Sequence, residues 1–155
     1  MRQLYEVVDF VRETRRRLRF GELSRSPMQI LRLAFSGDSV ELDWMLRPAD
    51  LWDFDLSPPA RNECASRQAV ADAMAIRSLV LDELPSIRSA VLRGFRTGEH
   101  DALQLIVFGV ITRDDPYLLR VASPVMRAKL CGFQFELENG VLKTLKSNEG
   151  SLPIE

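Results

Sequence analysis

Histidine occurs once in this 155-residue chain, at His100, so a mechanism needing two imidazoles, or a zinc site using more than one, is excluded. Cysteine occurs twice, at Cys64 and Cys131, with no partner at metal spacing and no Cys-x-x-Cys pair. Free thiols in a reducing interior are therefore expected rather than a disulfide framework. The eight glycines are scattered as turns and caps, and no G-x-G-x-x-G or Walker pattern supplies a phosphate-cradling loop. Long apolar runs are missing as well: the longest stretch without a charge, Ala102 to Thr112, is about half of what a helix needs to cross a bilayer. Glu6 and Asp9 stand where a signal peptide would carry its apolar stretch, so a cytoplasmic protein is expected.

No charge of one sign dominates. Lys and Arg number 21 and Asp and Glu 22, giving a formal charge of −1, so nothing in the whole-chain charge favours nucleic acid or anionic lipid. Lysine is scarce, only Lys129, Lys143 and Lys146, and the remaining basic residues are arginine. Codon bias accounts for that skew as readily as guanidinium chemistry does. With 46% hydrophobic and 28% charged residues, the composition is that of one globular domain able to bury a core without metal or disulfide support.

Periodicity orders the chain. Leu4, Val7, Val8, Val11 and Leu18 predict an amphipathic helix over 3–20, with acids early and arginines late, as the helix dipole favours. From Met28 to Arg47 apolar residues alternate on both sides of Gly37-Asp38. Pairing Ser36 with Ser39 sets Phe35 against Val40, Leu33 against Leu42 and Leu31 against Trp44, with Arg32 opposite Asp43 on the other face. Ser57 with Pro58, or Ser66, can cap a helix over 60–84 carrying Ala69, Ala73, Ile76, Val80 and Leu84. Pro85 breaks it, and Ile87, Val91, Leu92 and Phe95 predict a second helical segment over 85–96. Residues 103–112 are apolar on both parities and predict a central strand. Asp115-Pro116 and Ser123-Pro124 both have the form of a cap followed by proline, so helix is expected over 116–131, ending at Gly132. A second hairpin over 132–146 turns at Asn139-Gly140, with Phe133, Phe135 and Leu137 facing the core. The fold class expected is α+β: a single domain over 1–146 with a mostly antiparallel sheet of about five strands, and a loosely held tail over 147–155.

No motif carries a reaction, so no catalytic residue and no cofactor are expected, and the candidate sites are surfaces. His100 lies in a polar loop flanked by acids, where an exposed loop histidine is the plain interpretation. Asp53 and Asp55 have a spacing that can chelate a hard cation, but eleven aspartates produce such a pair by chance. Arg12, Arg15, Arg16 and Arg19 cluster on one side of the first helix and could meet phosphates, although Glu13 and the helix dipole account for them structurally.

The segment around Leu51, Trp52 and Phe54 is aromatic and rimmed by acids, and the Asn139-Gly140 register puts Val141 and Leu145 on the polar side of the second hairpin. Residues 36–55 hold six acids and one arginine, and residues 1–27 seven arginines and four acids, an asymmetry that permits self-association. The first functional reading is therefore a non-catalytic protein that binds itself, as a homodimer, or another protein. The alternative is a small-molecule binder or modest enzyme with a pocket between helices and sheet. Nucleic-acid binding through the arginine helix comes third.

Overall fold

The computed structural model describes residues 8–12, 16, 28–47, 57–114 and 120–145. The alternating segments around Gly37-Asp38 form β1 (Gln29–Ser36) and β2 (Ser39–Met45). Their register follows the sequence from Ser36↔Ser39 through Phe35↔Val40 and Leu33↔Leu42 to Arg32↔Asp43. Then it slips: Ile30 rather than Leu31 opposes Trp44, and a bulge absorbs Leu31. Unbroken pairing would set Ile30 on the face that carries Arg32. The bulge puts it on the face of Val40, Leu42 and Trp44, all three buried.

The long helix (Pro58–Glu83) begins at the earlier of the two caps the sequence offers, with Ser57 accepting a hydrogen bond from Ala60 N and proline opening the first turn two residues before position 60. Ala69, Ala73, Ile76 and Val80 are buried, as the periodicity requires, and so are Val70 and Leu79. At its far end the Arg113 guanidinium donates to three carbonyls, those of Ile87 and Leu84 at 2.6 Å and Leu81 at 3.0 Å. A fixed cation thus satisfies acceptors that the helix terminus leaves open.

Here the structure corrects the sequence. Instead of a helix over 85–96, Ser89–Thr97 form β3, parallel to β2 and antiparallel to β4 (Leu103–Thr112). Ala90, Leu92 and Gly94 alternate onto the core face, but two of them are too small to betray a strand, while Ile87, Val91 and Leu92 happen to fall at helical spacing. Pairing on both edges decides the matter. Gly94 is required by the Trp44 ring beside it, because a Cβ at 94 would lie 2.8 Å from Trp44 Cζ2. The sheet order is β1-β2-β3-β4-β5, with the short β5 (Phe133–Gln134) against Phe108 and Gly109. The middle strand is therefore β3, and residues 103–112 lie one place off centre, still flanked on both edges. The fold is α+β with one five-stranded, mostly antiparallel sheet, as expected, although one pair is parallel.

Of the expected helix over 116–131, the described residues show helix at Pro124–Leu130, capped by Ser123, whose hydroxyl accepts from Met126 N. Residues 115–119 lie outside the described residues. The second hairpin does turn at Asn139-Gly140, with φ of 54° and 81°, but among the described residues its strands β6 (Glu136–Glu138) and β7 (Val141–Lys143) pair only with each other. Phe133 and Phe135 are buried as expected, whereas Leu137 is 37% exposed. Near the N-terminus residues 8–12 and 16 are helical, and Phe10 is the buried side chain. Val8, assigned to the apolar stripe, is 46% exposed. Phe10 shares a core with residues from the sheet, both helices and β7.

Candidate functional site

Because β2 and β3 run parallel, their carboxyl ends emerge side by side, with the first turns of the long helix above them. A cleft of about 500 Å³ opens there. Met45, Leu46 and Arg47 come from the end of β2, Arg96 and Thr97 from the end of β3, Asn62, Ala65, Ser66 and Ala69 from the helix, and Val141 and Leu142 from β7. Its size lies within the ordinary range for small-molecule sites.

Hydrogen bonds hold the walls. Leu46 N donates to Phe95 O at 2.8 Å, which keeps the two strand ends together beyond β2. Leu142 N donates to Ser66 Oγ at 2.9 Å, and Arg96 Nη1 donates to Leu142 O at 3.2 Å. Both polar groups of the Leu142 peptide are thus tied, one to the helix and one to the sheet. Arg47 borders the cleft, its side chain wholly buried and its Nε 3.0 Å from Asp72 Oδ2. Gln68 Nε2 donates to the other Asp72 oxygen at 2.7 Å. Burial pushes the Asp72 carboxyl up to about 6, against the pull of Arg47 and the Gln68 hydrogen bond. The same burial draws the Arg47 guanidinium down, opposed by Asp72.

The chain matches no family model, no curated protein and no solved structure. What the cleft does must therefore come from its own chemistry. No carboxylate, histidine or cysteine is among its described lining residues. No group of three or more metal-ligating side chains gathers anywhere among the described residues, and no helix there is long and apolar enough to cross a membrane.

Of the residues singled out in the sequence, Val141 lines the cleft, while Leu145 is 6% exposed and belongs to the interior rather than to a contact surface. Its main-chain N donates to Leu105 O, which draws the chain after β7 against β4. Leu51, Trp52, Phe54, Asp53 and Asp55 lie outside the described residues, as do Arg15 and Arg19. The connection containing the first five leaves the sheet at Arg47 and enters the long helix at Ser57. Arg12 and Arg16 are exposed, and Arg12 lies 3.8 Å from Asp9 in a loose ion pair. His100 is exposed in the β3–β4 connection with φ of 58°, and Cys131 is buried at the end of the short helix.

Sequence reasoning passed over Arg96 and Asn62. Arg96 becomes visible as a site residue only once 89–97 is a strand beside β2, because the cleft exists only where those two strands end together. A second, more apolar groove of about 450 Å³ lies beyond Ser66, where Val70 and Ala71 of the long helix face Pro124, Val125 and Leu137.

Proposed function

We propose that the protein binds a small organic molecule in the cleft at the carboxyl ends of β2 and β3. The observation that carries this is the cleft itself: a cavity of ligand size between helix and sheet, with its walls tied by hydrogen bonds through Leu46, Ser66, Arg96 and Leu142. Binding is favoured over catalysis because the described lining offers no acid–base pair, and its one hydroxyl on the helix, Ser66, already accepts from Leu142 N. Val141→Trp tests the site by filling it from β7. Compounds that raise the melting temperature of the parent protein should lose that effect in the variant. Undiminished shifts in a folded Val141→Trp protein would place the site elsewhere.

Self-association is the second reading, supported by the apolar exposure around the short helix. Met126 is 51% exposed and Leu130 48%, close in sequence to the Pro124 and Val125 wall of the second groove. Met126→Glu should then lower the mass measured by light scattering at high protein concentration, and an unchanged mass would remove this surface from consideration.

A further inference from the structure

Resting on the binding reading above, we infer that the ligand of the cleft is an amphipathic monocarboxylate whose carboxylate is held by Arg96. The guanidinium is half-buried at the end of β3, and among the described residues it makes one hydrogen bond, from Nη1 to Leu142 O, and no ion pair. That contact engages Nη1 and leaves Nε and Nη2 as donors, the paired edge that grips a carboxylate through two parallel hydrogen bonds. Other arginines of the fold are differently occupied: Arg47, Arg93 and Arg32 each meet a carboxylate, and Arg113 is spent on three carbonyls.

The sign of the cleft follows. Its described lining contains arginine but no acidic residue, and the charge of Arg47 is matched behind the wall by Asp72. Among the described residues this leaves one unmatched positive charge, which calls for one negative charge. A phosphate would want further donors of the kind a glycine-rich loop or a second exposed cation provides, and the described lining has neither. In the same lining, Asn62 and Thr97 offer a few more polar atoms, while Met45, Leu46 and Val141 supply apolar wall. A charged head with a hydrocarbon or aromatic body fits that division.

The test compares octanoate, 1-octanol, octylammonium and inorganic phosphate by amide chemical-shift titration, following Met45, Asn62 and Val141, with the parent protein and with Arg96→Met and Arg96→Lys. Octanoate should shift these amides in the parent protein and bind about ten- to a hundredfold more weakly to Arg96→Met. Arg96→Lys, which keeps the charge and loses the planar edge, should fall between them. If 1-octanol or octylammonium shifts the same amides with the affinity of octanoate, the carboxylate assignment is wrong while the cleft remains a binding site. Phosphate binding as tightly as octanoate would overturn the assignment in favour of a phosphorylated ligand. If none of the four moves these amides, the assignment and the binding reading fall together. Arg96→Met that no longer gives the dispersed spectrum of a folded protein leaves the decision to Arg96→Lys, where undiminished octanoate affinity would refute the bidentate grip.

Discussion

Arg47 and Asp72 meet between the end of β2 and the long helix with almost no water around them, whereas Arg32, Glu41, Asp43 and Arg93 form a ladder across β1, β2 and β3 that water reaches from one side. The chemistry is the same, guanidinium against carboxylate, and the outcome for protons differs. Burial is the largest influence on Asp72 and outweighs its partner, so its carboxyl rises. Glu41 in the ladder is held below its ordinary value, chiefly by the hydrogen bond from Arg32. Asp43 lies between the two: burial raises it although Arg93 Nε stands at 3.1 Å. How far a salt bridge favours the ionised form thus depends on how much solvation each partner gives up, more than on the distance between them.

Removing one member of the buried pair should have the largest effect. Asp72→Ala leaves Arg47 charged and buried without its carboxylate, and urea unfolding at neutral pH should show a loss of about 3–5 kcal/mol. The double variant Arg47→Met/Asp72→Leu should recover most of that loss, because it removes the cost of burying both charges. A double variant as unstable as the single one would mean that the pair is a net source of stability.

The pH dependence separates the two regions further. Folding raises Asp72 from an ordinary 3.8 to about 6, so between those values the native state holds a proton that the unfolded chain has released. The stability this contributes is fully present below 3.8 and is lost as the pH rises through about 6, a change of about 3 kcal/mol. Glu41 acts in the reverse sense: its contribution is present above 4.5 and is lost as the pH falls through its lower folded value. Unfolding measured at stepped pH should therefore show a decline from about pH 4 to 6 that is reduced in Asp72→Asn, where only the raised Asp43 still contributes in that sense. Parallel profiles for parent and variant would assign the decline to another group.

Within the ladder the effects should be smaller and should grade with burial. Arg93→Met removes the guanidinium that donates to Glu41 and stands against the buried oxygen of Asp43, and should cost about 2 kcal/mol in chemical denaturation. Arg32→Ala, nearly half exposed, should cost less than about 1 kcal/mol, and added salt should shrink even that. Equal losses from the two would contradict a grading by solvent access.

Much of the fold was legible in the chain because the informative contacts are local. The first hairpin shows itself in alternation around a two-residue turn, and the long helix in Ser57, Pro58 and a stripe from Ala69 to Val80. Asn139-Gly140 reveals its turn for the same reason: left-handed φ values restrict which residues can stand there. The bulge at Leu31 was hidden, since Ile30 and Leu31 are both apolar and only pairing with Trp44 chooses between them. Of the cleft, only Val141 was singled out, and for a different role. Arg96 sits in a segment whose spacing imitates a helix, so the neighbour that makes it a site residue was not visible.

By itself the sequence determined the class of the fold, the first hairpin register as far as Arg32 and the second turn, and it held both helix caps among the candidates it offered. These depend on residues a few positions apart, whose propensities and hydrogen bonds act before any distant contact forms. Tertiary structure alone decided that residues 89–97 are the middle strand, that Leu145 goes inside, and that Arg96 stands at a cleft between β2 and the long helix. Each of those outcomes depends on strand pairing and burial between residues tens of positions apart, and a local pattern of apolar residues does not say which distant edge will satisfy it.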